Sequence, residues 1–237
     1  MTAEATEAYI ACMRGNWPDA LILHSGRAPL LIDIPSELTE QLLHLSNAFP
    51  LSGLIEPKLE DATPTFLKIA GFSFRELPIF HMTEAKIDDV STLRLYLREL
   101  PSRVRWGLSK LRSQHAIAQI ELHPWRKIEP ELEFRCFIRE GKLVGISQYD
   151  ADSYFAEVVA QASSLEEALR SFVAGFIDDL HIDTCAADIC FLRTPAGMSA
   201  RLMELNPLVG STDKCLFSGL PDSYLDGRFL YRHFAPD

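Results

Sequence analysis

Two oxygen-bearing side chains, Glu204 and Asn206, lie two residues apart in the apolar run RLMELNP, residues 201–207. In a β-strand this spacing places both side chains on the same face. A second apolar run, residues 186–192, carries Asp188, and we expect the two runs to pair as antiparallel strands around a short turn. Mg²⁺ prefers oxygen ligands of this kind and shares its coordination shell with phosphates. The spacing predicts a metal and phosphate site on this hairpin.

An ion-pair explanation of the same carboxylates stays open at this point. A buried carboxylate is unfavourable unless it is paired or bound to a cation. The alternative to a metal is that Asp188 and Glu204 pair with Arg193 or Arg201. Spacing alone does not decide between the two explanations.

Lys68 lies among apolar residues in the run TFLKIA, residues 65–70, which reads as a strand. A lysine ammonium is a compact charge suited to a nucleotide phosphate. The residues that follow, Ser73, Arg75 and Glu76, belong to a loop able to offer backbone N–H groups and a guanidinium. The alternative is that Lys68 is a solvated residue of an edge strand.

Arg135 lies in the alternating run LEFRCFI, residues 132–138. Its planar guanidinium suits a phosphate clamp on a strand that faces a cleft. A plain ion pair with Glu133, two residues away on the same face, explains it equally well.

A basic stretch with an aromatic residue, SRVRWGLSKLR, spans residues 102–112 and is the only plausible nucleic-acid surface. Its basic side chains are Arg103, Arg105, Lys110 and Arg112, with Trp106 among them. The alternative is a solvated helix face.

The composition is that of an ordinary globular protein, with 47% hydrophobic and 24% charged residues in a chain of 237. The formal net charge of −10 argues against non-specific binding to nucleic acid, so we expect no DNA partner. The five cysteines are an odd number and lie mostly in apolar runs, which is typical of reduced thiols. With no secretory signal and no apolar run long enough for a membrane span, we expect a cytoplasmic protein.

The order of elements predicts an α+β fold with one lobe over residues 1–117 and a second over 118–237. Pro101 divides a helical stretch in two, and Glu140-Gly141 forms the turn of the clearest hairpin. Short apolar runs predict strands at residues 19–26, 28–34, 64–72 and 115–125.

Several of these elements together resemble the cell division cycle protein 123 family, a branch of the ATP-grasp superfamily. The resemblance rests on the segments IEPELEFRCFIREGKLVGISQYD (residues 128–150), ADICFL (187–192) and LMELNPLVGSTDKCLF (202–217). It is specific over about residues 118–217 and plausible from about residue 64. The resemblance implies an ATP-grasp fold, in which two α+β lobes with mainly antiparallel sheets hold ATP and Mg²⁺ between them.

Carried over residue by residue, the resemblance implies a set of site residues. Asp188, Glu204 and Asn206 become Mg²⁺ ligands, and Lys68 becomes the phosphate lysine. The resemblance also implies ATP contacts from Ser73, Arg75, Arg135 and Gln148, and backbone contacts to adenine from Glu121, Leu122 and His123 in a linking segment, residues 120–125. Lys68 and Arg135 are the expected catalytic residues.

Two departures from the family pattern bear on the site. Glu204 stands where the family often has aspartate, and Phe74 replaces a usual proline in the loop after Lys68. The chain is also shorter than eukaryotic relatives, which is compatible with a bacterial or viral source.

The resemblance leaves the downstream function open between two classes. One is an ATP-dependent ligase or phosphoryl-activating enzyme, of the carboxylate-amine or RNA end-joining type, acting on a macromolecular acceptor. The other is an ATP-gated assembly chaperone or binding module for a translation-related protein, as in the eukaryotic relatives. We expect a monomer with a protein or RNA partner and no membrane association.

Overall fold

The computed structural model describes residues 3–26, 28–59, 64–209 and 212–234. The chain divides into two compact units. We call Arg27–Arg126 the Lys68 unit, and Met1–Gly26 with Lys127–Asp237 the Asp188 unit. The predicted α+β fold is confirmed. The helices are α1 (Ala3–Cys12), α2 (Asp19–Leu23), α3 (Ser36–His44), α4 (Ser52–Leu59), α5 (Pro78–Met82), α6 (Val90–Tyr96), α7 (Ser102–Ser113), α8 (Ala156–Ala160) and α9 (Ala162–Ala174).

The strands form one sheet in each unit. They are β1 (Leu30–Ile34), β2 (Thr65–Ile69), β3 (Phe72–Ser73), β4 (Ala118–Pro124), β5 (Glu133–Arg139), β6 (Lys142–Gln148), β7 (Cys185–Thr194), β8 (Gly197–Pro207) and β9 (Phe229–Leu230). Short 3-10 helices lie at Arg14–Asn16, Phe49–Leu51, Pro130–Leu132, Ile177–Asp179, Cys215–Phe217 and Asp222–Tyr224.

The sheet of the Lys68 unit has the order β1-β4-β2-β3, and its named strands pair antiparallel. Leu67, Ile69, Ile120 and Leu122 are buried on one face, which explains why this apolar alternation folds as a half-buried sheet. α7 packs against β3, β4 and α3. The break at Pro101 gives two helices, α6 and α7, as predicted.

The sheet of the Asp188 unit has the order β8-β7-β5-β6-β9. The pairs among β5 to β8 are antiparallel, and β9 runs parallel to β6. One face packs on α9, which presents Leu165, Leu169 and Val173 at helical spacing to the core. The turn at Glu140 and Gly141 has positive φ at both residues, as a tight hairpin turn requires.

The predicted lobe boundary at residue 117 differs from the division in the structure. β4 pairs with β1 and β2, so it belongs to the Lys68 unit, and the chain leaves that unit after Arg126. The first 26 residues belong with the C-terminal part of the chain, because α1 packs against β8.

The strand predicted at residues 19–26 is wrong. This segment forms α2, which begins at Asp19 directly after Pro18 and buries Leu21 completely. A short apolar run does not distinguish a strand from a buried helix, and a proline before the first turn favours helix initiation here.

Candidate functional site

A row of four polar residues crosses one face of the sheet in the Asp188 unit. In the strand pairing, Ser147 of β6 lies opposite Arg135 of β5, Arg135 lies opposite Asp188 of β7, and Asp188 lies opposite Glu204 of β8. Directly opposite residues of antiparallel strands share a face, so the four side chains form one line. Asn206, two residues beyond Glu204, lies on the same face.

Two β-bulges create this row, one in the β7–β8 pairing and one in the β5–β6 pairing. The register of the β7–β8 hairpin shifts by one residue between Asp188 and Ile189, which leaves Met203 without an opposite partner. Without the shift, Asp188 would lie opposite Met203, and Glu204 would face the apolar core. A one-residue shift of register moves every later side chain to the other face, so this bulge aims Glu204 and Asn206 at Asp188.

Arg135 and Asp188 form a buried bidentate ion pair. Arg135 Nε donates to Asp188 Oδ1 at 2.7 Å, and Nη2 donates to Oδ2 at 2.8 Å. The residues are only 5% and 3% exposed, so the pair lies in a region of low dielectric. Neither Arg193 nor Glu133, which the sequence suggested as ion partners, takes this role: Arg193 binds Glu129 and Glu157 instead.

The surroundings of Arg135 fix its charge and its position. Burial lowers the pKa of the guanidinium, but the carboxylate of Asp188 outweighs burial and the pKa lies above its usual range. Nη1 donates to the carbonyl of Asp213 at 2.7 Å, and the guanidinium lies 5.0 Å from the centre of the Tyr149 ring. Arg135 is therefore charged and held on three sides.

The donor chemistry of the row fits a hard cation. Asp188, Glu204 and Asn206 bring carboxylate and amide oxygens to one sheet face, as a magnesium ligand set requires. Asn206 Nδ2 donates to Asp188 Oδ2 at 3.0 Å, an orientation that leaves its amide oxygen available to another partner. Across the described part of the chain, no cluster of three or more His, Cys, Asp or Glu has metal-binding geometry. A metal ion in this row would therefore need the side-chain amide oxygen of Asn206 as a ligand.

The loop after β8 closes against this row. Thr212 Oγ1 donates to the carbonyl of Pro207, and Asp213 Oδ1 accepts from the backbone N–H of Cys215 at 2.8 Å. The backbone N–H of Leu216 donates to Ser147 Oγ at 3.1 Å. The Thr-Asp dipeptide thus shapes the loop whose carbonyl holds Arg135. Gly210 and Ser211 lie outside the described residues.

The Lys68 unit carries a second polar group on one face of its sheet. Lys68 of β2 lies opposite Glu121 of β4 and opposite Ser73 of β3. Glu121 Oε2 lies 2.9 Å from Nε2 of His123. Lys68 is only 8% exposed and β2 is an inner strand of the sheet, so the solvated-edge explanation of this lysine is wrong.

The expected backbone contacts from Glu121 and Leu122 do not suit their position. Both residues lie in the middle of β4, between β1 and β2, where backbone N–H and C=O groups bond to the neighbouring strands. The side chain of Leu122 is buried on the apolar face. Of the three residues expected at adenine, Glu121 and His123 have side chains on the face of Lys68.

The loop after Lys68 packs the ring of Phe74 against α6. Ala70 and Gly71 form its tight turn with positive φ, and Phe74 is completely buried against Tyr96, with ring centroids 5.7 Å apart. Phe74 therefore fills space in the core of this unit. Arg75, one residue on, is exposed.

Glu76 caps the N-terminus of α7 from this loop. Its carboxylate accepts from the backbone N–H of Ser102 at 3.0 Å and of Arg103 at 3.3 Å, and from Ser102 Oγ at 2.7 Å. These N–H groups have no partner within the helix, and the helix dipole favours a negative charge there. The Phe72 ring contacts Trp106 of α7 edge-on at 5.7 Å.

Gln148 lies on the opposite face from Arg135, so the structure does not support its predicted contact with ATP beside Arg135. Its amide donates to the carbonyls of Asp150 and Ser153, the latter at 2.6 Å, and its oxygen accepts from the N–H of Arg232 at 3.3 Å. The reason is the second bulge, between Phe137 and Ile138 in the β5–β6 pairing. Without it, Gln148 would lie opposite Glu133, on the face of Arg135.

The basic stretch on α7 is largely occupied by internal contacts. Arg105 donates to the carbonyls of Leu43 at 3.0 Å and Leu45 at 2.5 Å, where it caps α3. Arg112 pairs with Glu40, and Arg103 with Glu76 at 3.7 Å. The solvated, structural explanation of this face is therefore favoured over a nucleic-acid surface.

Sequence reasoning missed Ser147 and the Asp213 carbonyl as members of the site. Ser147 takes its place only through the bulge in β6, and a backbone carbonyl leaves no trace in residue type. Alternation along the strand places Ser147 and Gln148 on opposite faces, but it does not show which of the two lies on the face of Arg135.

Residues 107–220 match the model of the D123 family. The "Translation initiation factor eIF2 assembly protein" of Botryotinia fuckeliana is 32% identical over 99 residues, which cover 42% of this chain and 24% of that protein. The "Cell division cycle protein 123" of Eremothecium gossypii is 32% identical over 107 residues, which cover 43% of this chain and 28% of that protein. The alignments thus span about a quarter of these relatives' length.

A solved structure of Cdc123 from Schizosaccharomyces pombe has the same fold. It superposes with a TM-score of 0.70 at 17% identity and covers 90% of both chains. The predicted fold class of the family is therefore confirmed. The relatives named here are eukaryotic, and they lend no support to the expectation of a bacterial source. Among the helices of the described ranges, none is both long and apolar enough to cross a membrane.

Proposed function

We propose that this chain is an ATP- and magnesium-dependent binding module that assembles a translation-related protein partner. Its place in the Cdc123/D123 family is supported by the family model, the similar relatives and the fold of the solved structure. The observation that carries this proposal is the buried pair of Arg135 and Asp188, with the half-buried Glu204 and Asn206 beside it on the same sheet face. Such a set of charges on one sheet face has no need to exist in a purely structural sheet, where apolar packing is as stable.

We assign the magnesium to the oxygens of Asp188, Glu204 and Asn206, and Arg135 to a phosphate. The metal, when bound, screens the phosphate charge. In the Lys68 unit, we assign the ammonium of Lys68 and the hydroxyl of Ser73, its cross-strand partner, to phosphate oxygens. The exposed guanidinium of Arg75 and the side chains of Glu121 and His123 are proposed as further ligand contacts.

The assembly function is preferred to the ligase function because relatives of this chain carry the name eIF2 assembly protein. The proposed partner is accordingly eIF2 or a protein related to it, and the proposed place of binding is the cytoplasm. The RNA end-joining variant of the ligase function depended on the basic stretch of α7, whose arginines are paired within the fold. A ligase reaction would also need residues that bind the acceptor, and none of the described residues is assigned that role.

Nucleotide binding is tested first, by thermal unfolding with and without Mg-ATP. A ligand that binds only the native state at 100 times its Kd stabilises the protein by about 2.7 kcal/mol. We expect a clear rise in Tm for the wild type and a reduced one for Lys68→Met and for Asn206→Leu. No rise for the wild type at millimolar Mg-ATP would exclude the nucleotide part of the proposal.

Partner assembly is tested separately, with purified eIF2 from Xenopus laevis and the immobilised chain. We expect capture in Mg-ATP and much weaker capture in Mg-ADP or EDTA. Absence of capture in Mg-ATP, with nucleotide binding intact, would exclude eIF2 as the partner. Release of inorganic phosphate only when a carboxylate or RNA acceptor is added would favour the ligase function instead.

A further inference from the structure

The bonds of Asp188 leave little room for a metal. Its two oxygens accept from Arg135 Nε, Arg135 Nη2 and Asn206 Nδ2, at 2.7, 2.8 and 3.0 Å. A carboxylate offers about four acceptor positions in all. A cation that uses both oxygens of Asp188 therefore cannot bind while the bidentate pair with Arg135 is complete.

Arg135 already supplies the positive charge that Asp188 needs in a buried site. Two buried opposite charges in bidentate contact balance each other, whereas either one alone is strongly unfavourable. A metal ion that takes both oxygens of Asp188 must displace the guanidinium of Arg135, so part of its binding energy is lost in breaking the pair. In the absence of nucleotide, Arg135 and the metal are competitors.

A phosphate group changes this balance. A guanidinium binds phosphate with the same bidentate geometry that it uses for a carboxylate. The contacts of Arg135 with the Asp213 carbonyl and the Tyr149 ring keep the guanidinium beside Asp188 even when the carboxylate is released. A phosphate that engages Arg135 would free Asp188 for the metal, and a metal on Asp188 would free Arg135 for the phosphate.

We propose that Arg135 is an internal placeholder for the metal: it occupies Asp188 in the nucleotide-free protein and transfers to a phosphate when the nucleotide binds. The proposal rests on the proposed ATP site. Because coupling between two ligands is reciprocal, it makes metal and nucleotide binding mutually dependent, so that metal alone binds poorly. The site would then be occupied only when the metal and the nucleotide are both present.

The test measures Mn²⁺ binding without nucleotide, by electron paramagnetic resonance of the free ion. Arg135→Lys keeps the positive charge but lacks the planar fork, and Arg135→Gln removes the charge. We expect Mn²⁺ to bind about tenfold or more tightly to both variants than to the wild type, within the usual range of site coupling. Arg139→Gln is the matched control, because Arg139 lies on the same strand and pairs with exposed Asp222.

The outcomes separate competition from simple charge repulsion. Tighter Mn²⁺ binding with Gln and not with Lys would overturn the proposal, since it would reflect removal of a nearby charge alone. Unchanged binding in both variants would also overturn it. The gain must vanish in the double variants that add Asp188→Asn, because the contested carboxylate is then absent.

A measurement on the unaltered protein covers the case in which Arg135→Gln does not fold. The Nε–H resonance of Arg135, assigned with Arg135→Lys, should stay unchanged on addition of Mg²⁺ alone and shift on addition of Mg-ATP. A shift with Mg²⁺ alone would contradict the placeholder. Failure of the ATP site itself would appear as no thermal shift with Mg-ATP, whatever the Mn²⁺ affinities of the variants.

Discussion

Arg135 and Asp188 face each other across β5 and β7, and both oxygens of the aspartate accept from the guanidinium, at 2.7 and 2.8 Å. The pair lies at the centre of the polar row, with Ser147 on one side and Glu204 on the other. Two bulges bring the outer members onto the face of the inner pair. The site therefore depends on irregularities of the sheet as much as on residue type.

Removal of one partner of this pair should destabilise the fold more than removal of both. We expect Arg135→Met to lower the free energy of unfolding by about 3–5 kcal/mol, because it leaves the Asp188 charge buried and unbalanced. The double variant Arg135→Met, Asp188→Leu should recover most of that loss. Urea unfolding at pH 7 measures both; equal losses in the single and double variants would contradict a charge-balance origin.

Gln148 should contribute to stability and not to nucleotide affinity. Its amide holds the carbonyls of Asp150 and Ser153 and the N–H of Arg232. Gln148→Met keeps the length of the side chain but leaves these groups without that partner, and we expect a loss of about 1–3 kcal/mol. Urea unfolding measures the loss, and Mg-ATP titration below the transition measures affinity. If Gln148→Met lowered the affinity for Mg-ATP strongly and left stability unchanged, Gln148 would be a ligand-binding residue after all.

The contrast between Gln148 and Asn206 shows how far sequence reasoning reaches in this protein. Alternation in a strand predicts correctly that Glu204 and Asn206 share a face, and the hairpin turns at Gly141 and Gly197 are evident from their glycines. The position of a bulge has no comparable signal, because it depends on packing of the two strands rather than on their composition. The two unpaired residues, Val144 and Met203, are ordinary apolar side chains.

The strand predicted at residues 19–26 was wrong for a related reason, whereas residues 115–125 do contain the predicted strand, β4. Each segment carries an apolar pattern whose meaning is set by neighbours distant in sequence. β4 is a central strand because β1 and β2 flank it, and Leu21 is buried in a core that β5 and α9 complete. Local pattern predicts that such residues are buried, but not in which element or in which unit.

Glu76 should stabilise α7 and with it the loop after Lys68. Replacement by alanine removes an acceptor from the backbone N–H groups of Ser102 and Arg103, and we expect a loss of about 1–2 kcal/mol, as for other helix N-terminal acceptors. Glu99→Ala is the matched control, an exposed glutamate just before the same helix. Equal stability of the two variants in thermal unfolding would show that Glu76 does not act as a cap.

The stability of the protein should fall above pH 8.5 because of its buried thiols. Burial raises the pKa of Cys185 and of Cys215 from the ordinary 9.0 to about 12. A folded-state pKa above the unfolded one means that the stabilising contribution is complete below the unfolded pKa and is lost as pH rises towards the folded value. Each such thiol lowers the free energy of unfolding by about 1.4 kcal/mol per pH unit within that window.

Urea unfolding between pH 7.5 and 9.5 measures this slope, below the pH at which most tyrosines ionise. Cys185→Ala should reduce the slope by about 1 kcal/mol per pH unit at the upper end of this range, where roughly three quarters of the unfolded thiol is ionised, whatever its effect on stability at pH 7.5. The comparison of slopes separates ionisation from the small cavity that the alanine leaves. An identical slope for the variant and the wild type would mean that Cys185 ionises as readily in the folded protein as in the unfolded chain, which its complete burial between β5 and β8 opposes.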